Sequence, residues 1–220
     1  MESINKSTLD FLTAIMCNNN RDWFIANRPL YLEAKENFEA FVQAIIDKII
    51  VFEPLMKGLE AKSCVFRINR DIRFSKDKSP YKTHFGAFIL RGGKNNGDKY
   101  AGYYFHIEPG KSIMAGGAYT PPGPWLSSIR EKISEQPGEF IKITNSKEFI
   151  KYFGGIDGEK LKTAPKGYPS NHPHIELLKF KSYLVVNEAS DKMVLSNDFK
   201  DHVLKVFRAM KPLNDFLNEY

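Results

Sequence analysis

The spacing of hydrophobic residues changes near Gly58, and this change predicts the fold class. Upstream of it, apolar side chains recur every three to four residues along 38–52, opposite Glu, Lys and Gln. That spacing puts them on one face of a long amphipathic helix ending before Pro54. Downstream, from Cys64 to Phe74, apolar and polar residues alternate, which is the period of a strand with one buried face. The chain therefore combines helices with a sheet.

The alternating region predicts consecutive strands over residues 64–74, 84–91, 99–108 and 111–119. Their connections are short, and Pro109-Gly110 is typical of a tight turn. Strands joined in this way predict an antiparallel meander sheet over about residues 63–119. Amphipathic helices near the N-terminus and the C-terminus are expected to pack on it, with a last short strand at 183–187. The predicted fold is a single α+β domain over residues 1–220.

Length and composition narrow the class of protein. The chain has 220 residues, 42% hydrophobic and 26% charged, the composition of an ordinary globular protein. No apolar run approaches the roughly 18–20 residues that a membrane-spanning helix needs. The first residues lack the basic and apolar stretches of a secretion signal. Two cysteines, Cys17 and Cys64, indicate reduced thiols in a cytoplasmic protein.

Positive charge is concentrated in the 18 residues from Arg67 to His84. Six of them are Arg or Lys and two are Asp, a net charge of +4, whereas the whole chain carries +6. Arg presents a planar fork of donors that fits phosphate or carboxylate, and Lys presents a point charge. The segment therefore predicts a site for a phosphate-bearing or other anionic ligand, bound or acted upon.

The candidate ligand-binding residues follow from reading this segment as a strand and a loop. The strand places a polar row on one face, formed by Arg67, Asn69, Asp71 and Arg73. Arg70 falls on the apolar face, so that either a bulge turns it toward the row or it is buried beside a carboxylate. The loop and its flank contribute Ser75, Lys76, Lys78 and Lys82.

A second basic loop contains Lys162 and Lys166. Two placements are open: beside the first basic segment, where the two would form a cleft, or on an exposed surface.

Four residues are candidates for proton transfer: Asp71, His84, His106 and Glu108. On the third predicted strand, His106 and Glu108 share a face, and pairing with the second strand would bring His84 near His106. A neutral histidine beside a carboxylate can act as a general base near pH 7. The alternative is a half-buried histidine bonded to the backbone or to a tyrosine.

No metal ion or cofactor is expected from the sequence. His172 and His174 are separated by a proline, without a nearby cysteine or clustered acid. The chain also lacks the glycine-rich phosphate loop, the dinucleotide fingerprint and the nucleophile elbow.

Two other functions use the same basic segment. A nucleic-acid-binding module would add aromatic stacking surfaces, for which the candidates are Tyr81, Tyr100, Tyr103 and Tyr104. Alternatively, the Arg and Asp residues could be purely structural in a non-catalytic interaction protein.

Six segments spread along the chain carry recognisable motifs: residues 18–24 (NNNRDWF), 67–82, 103–110 (YYFHIEPG), 165–168 (PKGY), 172–173 (HP) and 212–217. In this order they resemble domain-of-unknown-function family 2461 over essentially the whole chain. The resemblance implies a single-domain protein of a kind widespread in bacteria. It implies no activity, because none is established for the family.

Overall fold

The structure is a computed structural model that describes residues 3–219. Within that range the strands are β1 (Phe85–Ile89), β2 (Gly102–Ile107), β3 (Ser112–Ala118) and β4 (Tyr183–Ala189). The α-helices are α1 (Lys6–Cys17), α2 (Arg21–Ala26), α3 (Arg28–Ile49), α4 (Ala61–Cys64), α5 (Gly123–Glu135), α6 (Pro137–Thr144), α7 (Lys147–Phe153), α8 (Ile175–Leu178), α9 (Asp191–Val194) and α10 (Phe199–Asn218). Single 3-10 turns lie at Pro54–Met56 and Lys94–Asn96.

The four strands form one antiparallel sheet in the order β1-β2-β3-β4. The α+β class and the antiparallel meander are therefore confirmed. The predicted strands at 84–91, 99–108, 111–119 and 183–187 correspond to β1, β2, β3 and β4. The long helix predicted before Pro54 is α3.

One face of the sheet packs against the helices because its side chains are apolar and large. Phe105, at the centre of β2, is almost fully buried. Its ring lies 5.7 Å from that of Phe38 and 5.5 Å from that of Phe41, both on α3. The ring of Phe199, at the start of α10, is 5.8 Å away. Helices α3 and α10 thus enclose the centre of this face.

The opposite face of the sheet is not covered by any helix of residues 3–219. Its side chains project from alternate positions of the same strands, as the two-residue period requires. They are half-buried, and the concave surface they form is lined by strand and loop residues alone. We call this surface the groove; its members are Phe66, Lys82, His84, Phe88, Tyr104, His106, Ile113, Ala115, Gly116, Gly117, Tyr119, Leu184 and Val186.

The strand predicted at 64–74 does not form. Only isolated bridges remain, between Val65 and Ala87 and between Asn69 and Tyr81. The chain then turns back on itself, so that the Lys82 amide donates to the Ile68 carbonyl at 2.8 Å. The prediction of a continuous strand was wrong here.

Aspartate side chains explain the difference. The backbone N–H of Arg73 donates to the carboxylate of Asp71, which lies two residues before it in the chain. The backbone N–H of Ser79 donates to the carboxylate of Asp77 in the same way. Such local bonds satisfy backbone donors without a neighbouring strand and favour turns. As a result, Phe74, which the alternation places on a buried face, is 96% exposed.

Across residues 3–219, no helix has the length and apolar character required to cross a membrane.

Candidate functional site

The groove has a volume of about 520 Å³ and a mostly apolar wall. Ile113 and Ala115 of β3 and Leu184 and Val186 of β4 form much of that wall, because the register places them on the open face. Polar groups are confined to a few positions. Concave apolar surfaces with a few converging polar groups are typical of small-molecule sites.

Three polar side chains meet at one end of the groove: His84, His106 and Glu108. The rings of His84 and His106 stack with centroids 4.0 Å apart. His106 Nε2 lies 3.3 Å from a Glu108 carboxylate oxygen, and one ligand atom from each residue lies within 4.8 Å of the others. The predicted proximity of the two histidines, and the shared face of His106 and Glu108, are confirmed.

Neighbouring hydroxyl groups orient this cluster. Tyr104 Oη lies 3.0 Å from His106 Nδ1, on the side of the ring away from Glu108. The Thr83 hydroxyl donates to the other oxygen of Glu108. In contrast, the ring nitrogens of His84 have no hydrogen-bond partner among residues 3–219. His84 is thus the member of the cluster that is available to another molecule.

Burial favours the neutral form of both imidazoles. It lowers the pKa of His84 to about 4, with a further contribution from nearby His106. The pKa of His106 is also lowered by burial, although Glu108 opposes that shift. Burial acts to raise the pKa of Glu108, but hydrogen bonds from Thr83 and His106 outweigh it, and the pKa falls. At neutral pH the cluster holds two neutral bases and one carboxylate.

The low pKa of His84 makes folding pH-dependent. Because the unfolded state takes up this proton near pH 6.5 and the folded state only near pH 4, the stability contribution of His84 is complete above pH 6.5 and is lost as pH falls toward 4. Allowing for partial exposure, we expect a loss of about 1–2 kcal/mol across that window.

Urea unfolding at pH 7 and at pH 4.5 measures this loss of stability. The same experiment on His84→Gln should give a smaller decrease, since glutamine does not titrate. Identical pH dependence of the two proteins would contradict the assignment.

Lys82 lies at the junction of the groove and a second, more polar pocket of about 260 Å³. Its ammonium group is 5.2 Å from the centre of the Phe66 ring. Burial, and secondarily the charge of Arg67, lowers the pKa of Lys82. No carboxylate among residues 3–219 forms a salt bridge with it. Lys82 is therefore a half-buried cation without an acidic partner in the described chain.

Arg70 is occupied by its own loop. Its guanidinium forms an ion pair with Asp77 and also donates to the Ser79 carbonyl oxygen at 3.2 Å. The Ser79 backbone N–H and hydroxyl, followed by Arg70, lower the pKa of Asp77 to about 2. Of the two placements considered for Arg70, the pairing with a carboxylate is observed, but the side chain is half-buried rather than buried. Arg70 lines the polar pocket with Lys82, but its charge is already compensated.

The predicted polar row does not exist as a row, because its strand does not form. Asp71 and Arg73 form an exposed two-bond ion pair, with nitrogen–oxygen distances of 2.7 and 3.0 Å. Arg67 and Asn69 are also exposed, and Arg67 lines a separate pocket with Lys35 and other residues. The structure does not bring these four residues together around one concavity. Asp71 also lies outside the histidine cluster.

The remaining loop candidates, Ser75, Lys76 and Lys78, lie outside the groove. Lys76 and Lys78 are exposed, and the Lys78 ammonium donates to the Ile72 carbonyl oxygen at 3.0 Å. Ser75 is half-buried, 3.4 Å from a nitrogen of Arg70. None of the three lines the groove.

The second basic loop lies by the opposite edge of the sheet. Leu161 donates its backbone N–H to Lys179, just before β4, whereas Phe66 donates to Gly86 in β1. Since β1 and β4 are the two outer strands, the loops do not face each other across a cleft. Both Lys162 and Lys166 are exposed. Of the two placements considered for this loop, the exposed surface is therefore the one observed.

Most of the tyrosines considered for base stacking are unavailable. Tyr81 and Tyr103 are buried, and Tyr100 lies under the guanidinium of Arg91 at 3.6 Å. Tyr104 lines the groove, where its hydroxyl is committed to His106.

His172 and His174 form a separate pair whose ring centroids are 6.2 Å apart. The Nε2 atom of His172 bonds to the Ser134 hydroxyl, and its Nδ1 accepts the backbone N–H of His174. Both nitrogens of His172 therefore have protein partners.

Sequence reasoning missed the apolar wall of the groove. A signal was present: Ile113-Met114-Ala115 and Leu184-Val185-Val186 are continuous apolar runs rather than alternating ones. Strands of that kind have apolar side chains on both faces. Here one face is buried under helices and the other lines the groove.

Segments distant in sequence meet beside this site. The Asn19 side chain donates to the Tyr81 carbonyl oxygen at 2.9 Å and accepts the Tyr81 N–H at 3.0 Å. The rings of Phe24 and Tyr81 stack at 4.0 Å. Residues 18–24 thus hold Tyr81 in place, in the part of the basic segment next to Lys82 and His84.

Comparison with known proteins gives a family and no activity. No curated protein and no solved structure matches the chain. The sequence model of a family described as "Conserved hypothetical protein (DUF2461)" matches residues 7–216. That match covers nearly the whole chain and agrees with the resemblance in its motifs. The chain belongs to the DUF2461 family.

Proposed function

We propose that this protein binds a small organic acid, with an apolar body in the groove and a carboxylate or phosphate head beside Lys82. The proposal keeps the anionic ligand predicted from the basic segment, but moves its site from the loop to the sheet. It also adds an apolar part to the ligand.

The observation that carries the proposal is the environment of Lys82. Burying a cation without an opposite charge is unfavourable, and its lowered pKa reflects this cost. An anionic head group would supply the missing charge. Arg67, which lowers the pKa of Lys82 through its own charge, adds to the positive potential that attracts an anion.

The shape of the surroundings supports an apolar body for the ligand. Lys82 and His84 line both the groove and the polar pocket, so the head group can sit at their junction. From there the wall of Ile113, Leu184 and Val186 continues along the open face of the sheet. Burying apolar ligand surface there contributes about 25 cal/mol for each Å² removed from water.

We also infer a cytoplasmic location, which the two free cysteines, one buried and one exposed, support.

Calorimetric titration tests the proposal with decanoate, decyl phosphate, decanol, acetate and inorganic phosphate. We expect one of the two long-chain anions to bind at least tenfold more tightly than decanol, which lacks the charge, and than acetate and phosphate, which lack the chain. Whether decanoate or decyl phosphate binds better identifies the head group. Equal binding of decanol and both anions, or no binding by any of them, would overturn the proposal.

Replacing Lys82 with methionine should weaken binding of the preferred anion about 10–100-fold, since a hydrogen bond to a charged group contributes roughly 1.5–3 kcal/mol. Lys76→Met is the matched control, because it removes the same charge from an exposed position outside the groove. An equal loss of affinity in both variants would show that general charge, rather than Lys82, attracts the ligand.

The two alternative functions, nucleic-acid binding and non-catalytic interaction, predict different results when the same protein is tested. A nucleic-acid-binding module would bind a single-stranded oligonucleotide with an affinity that falls steeply with salt. Decanoate would not compete with that binding. A non-catalytic interaction protein with a structural Arg/Asp row would bind none of the long-chain anions, and Asp71→Ala would lower its melting temperature.

A further inference from the structure

The cluster of His84, His106 and Glu108 has the composition and arrangement of a metal site. We propose that it binds one divalent first-row transition-metal ion, with Zn²⁺ as the representative ion, through two imidazole nitrogens and one carboxylate oxygen. The site lies at the polar end of the groove, but it stands on these three side chains and does not require the organic acid.

The donor set suits such an ion. Two histidines and one carboxylate occur together at catalytic zinc sites and at non-haem iron sites, and both leave coordination positions open. Here an open position would face the groove, which His84 and His106 both line. Hard ions such as Mg²⁺ and Ca²⁺ prefer oxygen ligands, so two imidazoles disfavour them.

The distances permit closure around an ion. Bonds of about 2.1 Å in a tetrahedral arrangement place donor atoms about 3.4 Å apart. The observed separation of His106 and Glu108 is 3.3 Å, and the ligand atoms of all three residues lie within 4.8 Å. Closing the largest of these separations therefore takes a movement of at most about 1.4 Å.

The pairing of β1 with β2 brings the three ligands together. His106 and Glu108 are two residues apart along β2 and its extension, so they project from the same face. His106 pairs with Gly86 of β1, and His84 precedes Gly86 by two residues on the neighbouring segment. A side chain at position 86 would approach the Tyr104 hydroxyl to 2.9 Å. Glycine at that position leaves room for the cluster and its tyrosine.

The hydrogen bonds that other residues make to the three proposed ligands match those of a metal site. Ligating histidines commonly use their second nitrogen for a hydrogen bond, and ligating carboxylates are themselves bonded. Tyr104 occupies the Nδ1 side of His106, leaving Nε2 directed at Glu108. Thr83 bonds one oxygen of Glu108 and leaves the other directed at His106. Burial favours the neutral imidazoles, each of which has one unprotonated nitrogen for a metal. In His106 that nitrogen would be Nε2, with the proton on Nδ1 beside the Tyr104 hydroxyl oxygen.

Metal content and affinity test the proposal without any organic acid. The protein is treated with EDTA, dialysed, and titrated with Zn²⁺ alone against a chromophoric chelator, and bound zinc is counted by mass spectrometry. Co²⁺ serves as an optical probe of coordination. We expect one equivalent of Zn²⁺ and at least a 100-fold weaker affinity in His84→Ala and in His106→Ala.

Glu108→Gln keeps the size of the side chain and tests the carboxylate if an alanine variant does not fold; we expect at least a tenfold loss. His174→Ala is the control, because it removes a histidine from the other histidine pair and should leave affinity and stoichiometry unchanged. Wild-type protein that takes up no stoichiometric zinc overturns the proposal. So does equal affinity in folded His84→Ala, Glu108→Gln and His174→Ala.

The two proposals can fail separately. Decanoate binding in the presence of EDTA without zinc uptake would support the organic-acid site alone. Zinc uptake by a protein that binds no long-chain anion would support the metal site alone.

Discussion

Replacing Phe105 with alanine is expected to lower the free energy of unfolding by about 3–5 kcal/mol, the usual cost of deleting a fully buried phenylalanine. Phe105 lies between α3 and α10, against Phe38, Phe41 and Phe199. None of these rings can move in to fill the space without losing its own packing. Urea unfolding followed by circular dichroism measures the difference.

The matched control is Phe88→Ala. Phe88 is on the adjacent strand β1 but on the open face, where it is only half-buried. Because its ring is still accessible to water, we expect a loss of about 1–2 kcal/mol. Similar losses in the two variants would contradict the description of a sheet with one packed face and one open face.

Gly117→Ala should destabilise the fold by about 3 kcal/mol or more, through two separate effects. The φ angle of Gly117 is +107°, which side chains of L-residues rarely adopt. In addition, a Cβ atom there would lie 2.0 Å from the Tyr183 carbonyl oxygen. That oxygen belongs to β4, so the two strands would have to separate where they form the wall of the groove.

Gly110→Ala distinguishes the two effects. Gly110 also has a positive φ, +73°, but nothing lies within 4 Å of a Cβ atom at that position. Only the conformational cost applies there, about 1–2 kcal/mol. Thermal unfolding of both variants measures the difference, and a Gly117→Ala protein as stable as Gly110→Ala would show that β4 is not as close as described.

The parts of the fold that sequence could predict are those fixed by local geometry. Alternation along a strand separates Tyr104, His106 and Glu108 from Tyr103, Phe105 and Ile107, and the structure confirms that division. The short turn at Pro109-Gly110 fixes how β2 meets β3. The approach of His84 to His106 then follows from pairing β1 with β2.

The same reasoning failed at 64–74 because hydrogen bonds from side chains are not visible in a hydrophobic pattern. Ile68, Ile72 and Phe74 alternate as they would in a strand. The aspartates nevertheless satisfy the backbone locally, and the chain turns. The bond accepted by Asp71 lies within the predicted strand, whereas Asp77 belongs to the loop that was predicted after it.

The site itself was predicted only in part. His84, His106, Glu108 and Lys82 were among the candidates, and they lie together. Positive charge made the other residues of the basic segment candidates, but Arg70 and Arg73 are neutralised by neighbouring aspartates. The apolar runs of β3 and β4 were visible in the sequence, but their assembly into one wall was not, since β4 begins 65 residues after β3 ends and only the folded sheet brings Val186 beside Ala115.

The proposed metal site was not expected from the sequence, because the usual motifs place ligands at fixed short spacings. Here the spacing between His84 and His106 is set by a strand, a loop and a second strand. Pairing of the strands, rather than sequence distance, brings the donor atoms together.

The decisive measurement is a map of backbone amide chemical shifts during titration of the protein with the preferred long-chain anion. If the open face of the sheet is the binding site, shifts should concentrate on Lys82, His106, Ala115 and Val186. Residues 71–79 and helix α3, which packs on the other face of the sheet, should change little. Shifts confined to that exposed loop, or shifts absent from the groove at saturating ligand, would contradict the proposed function.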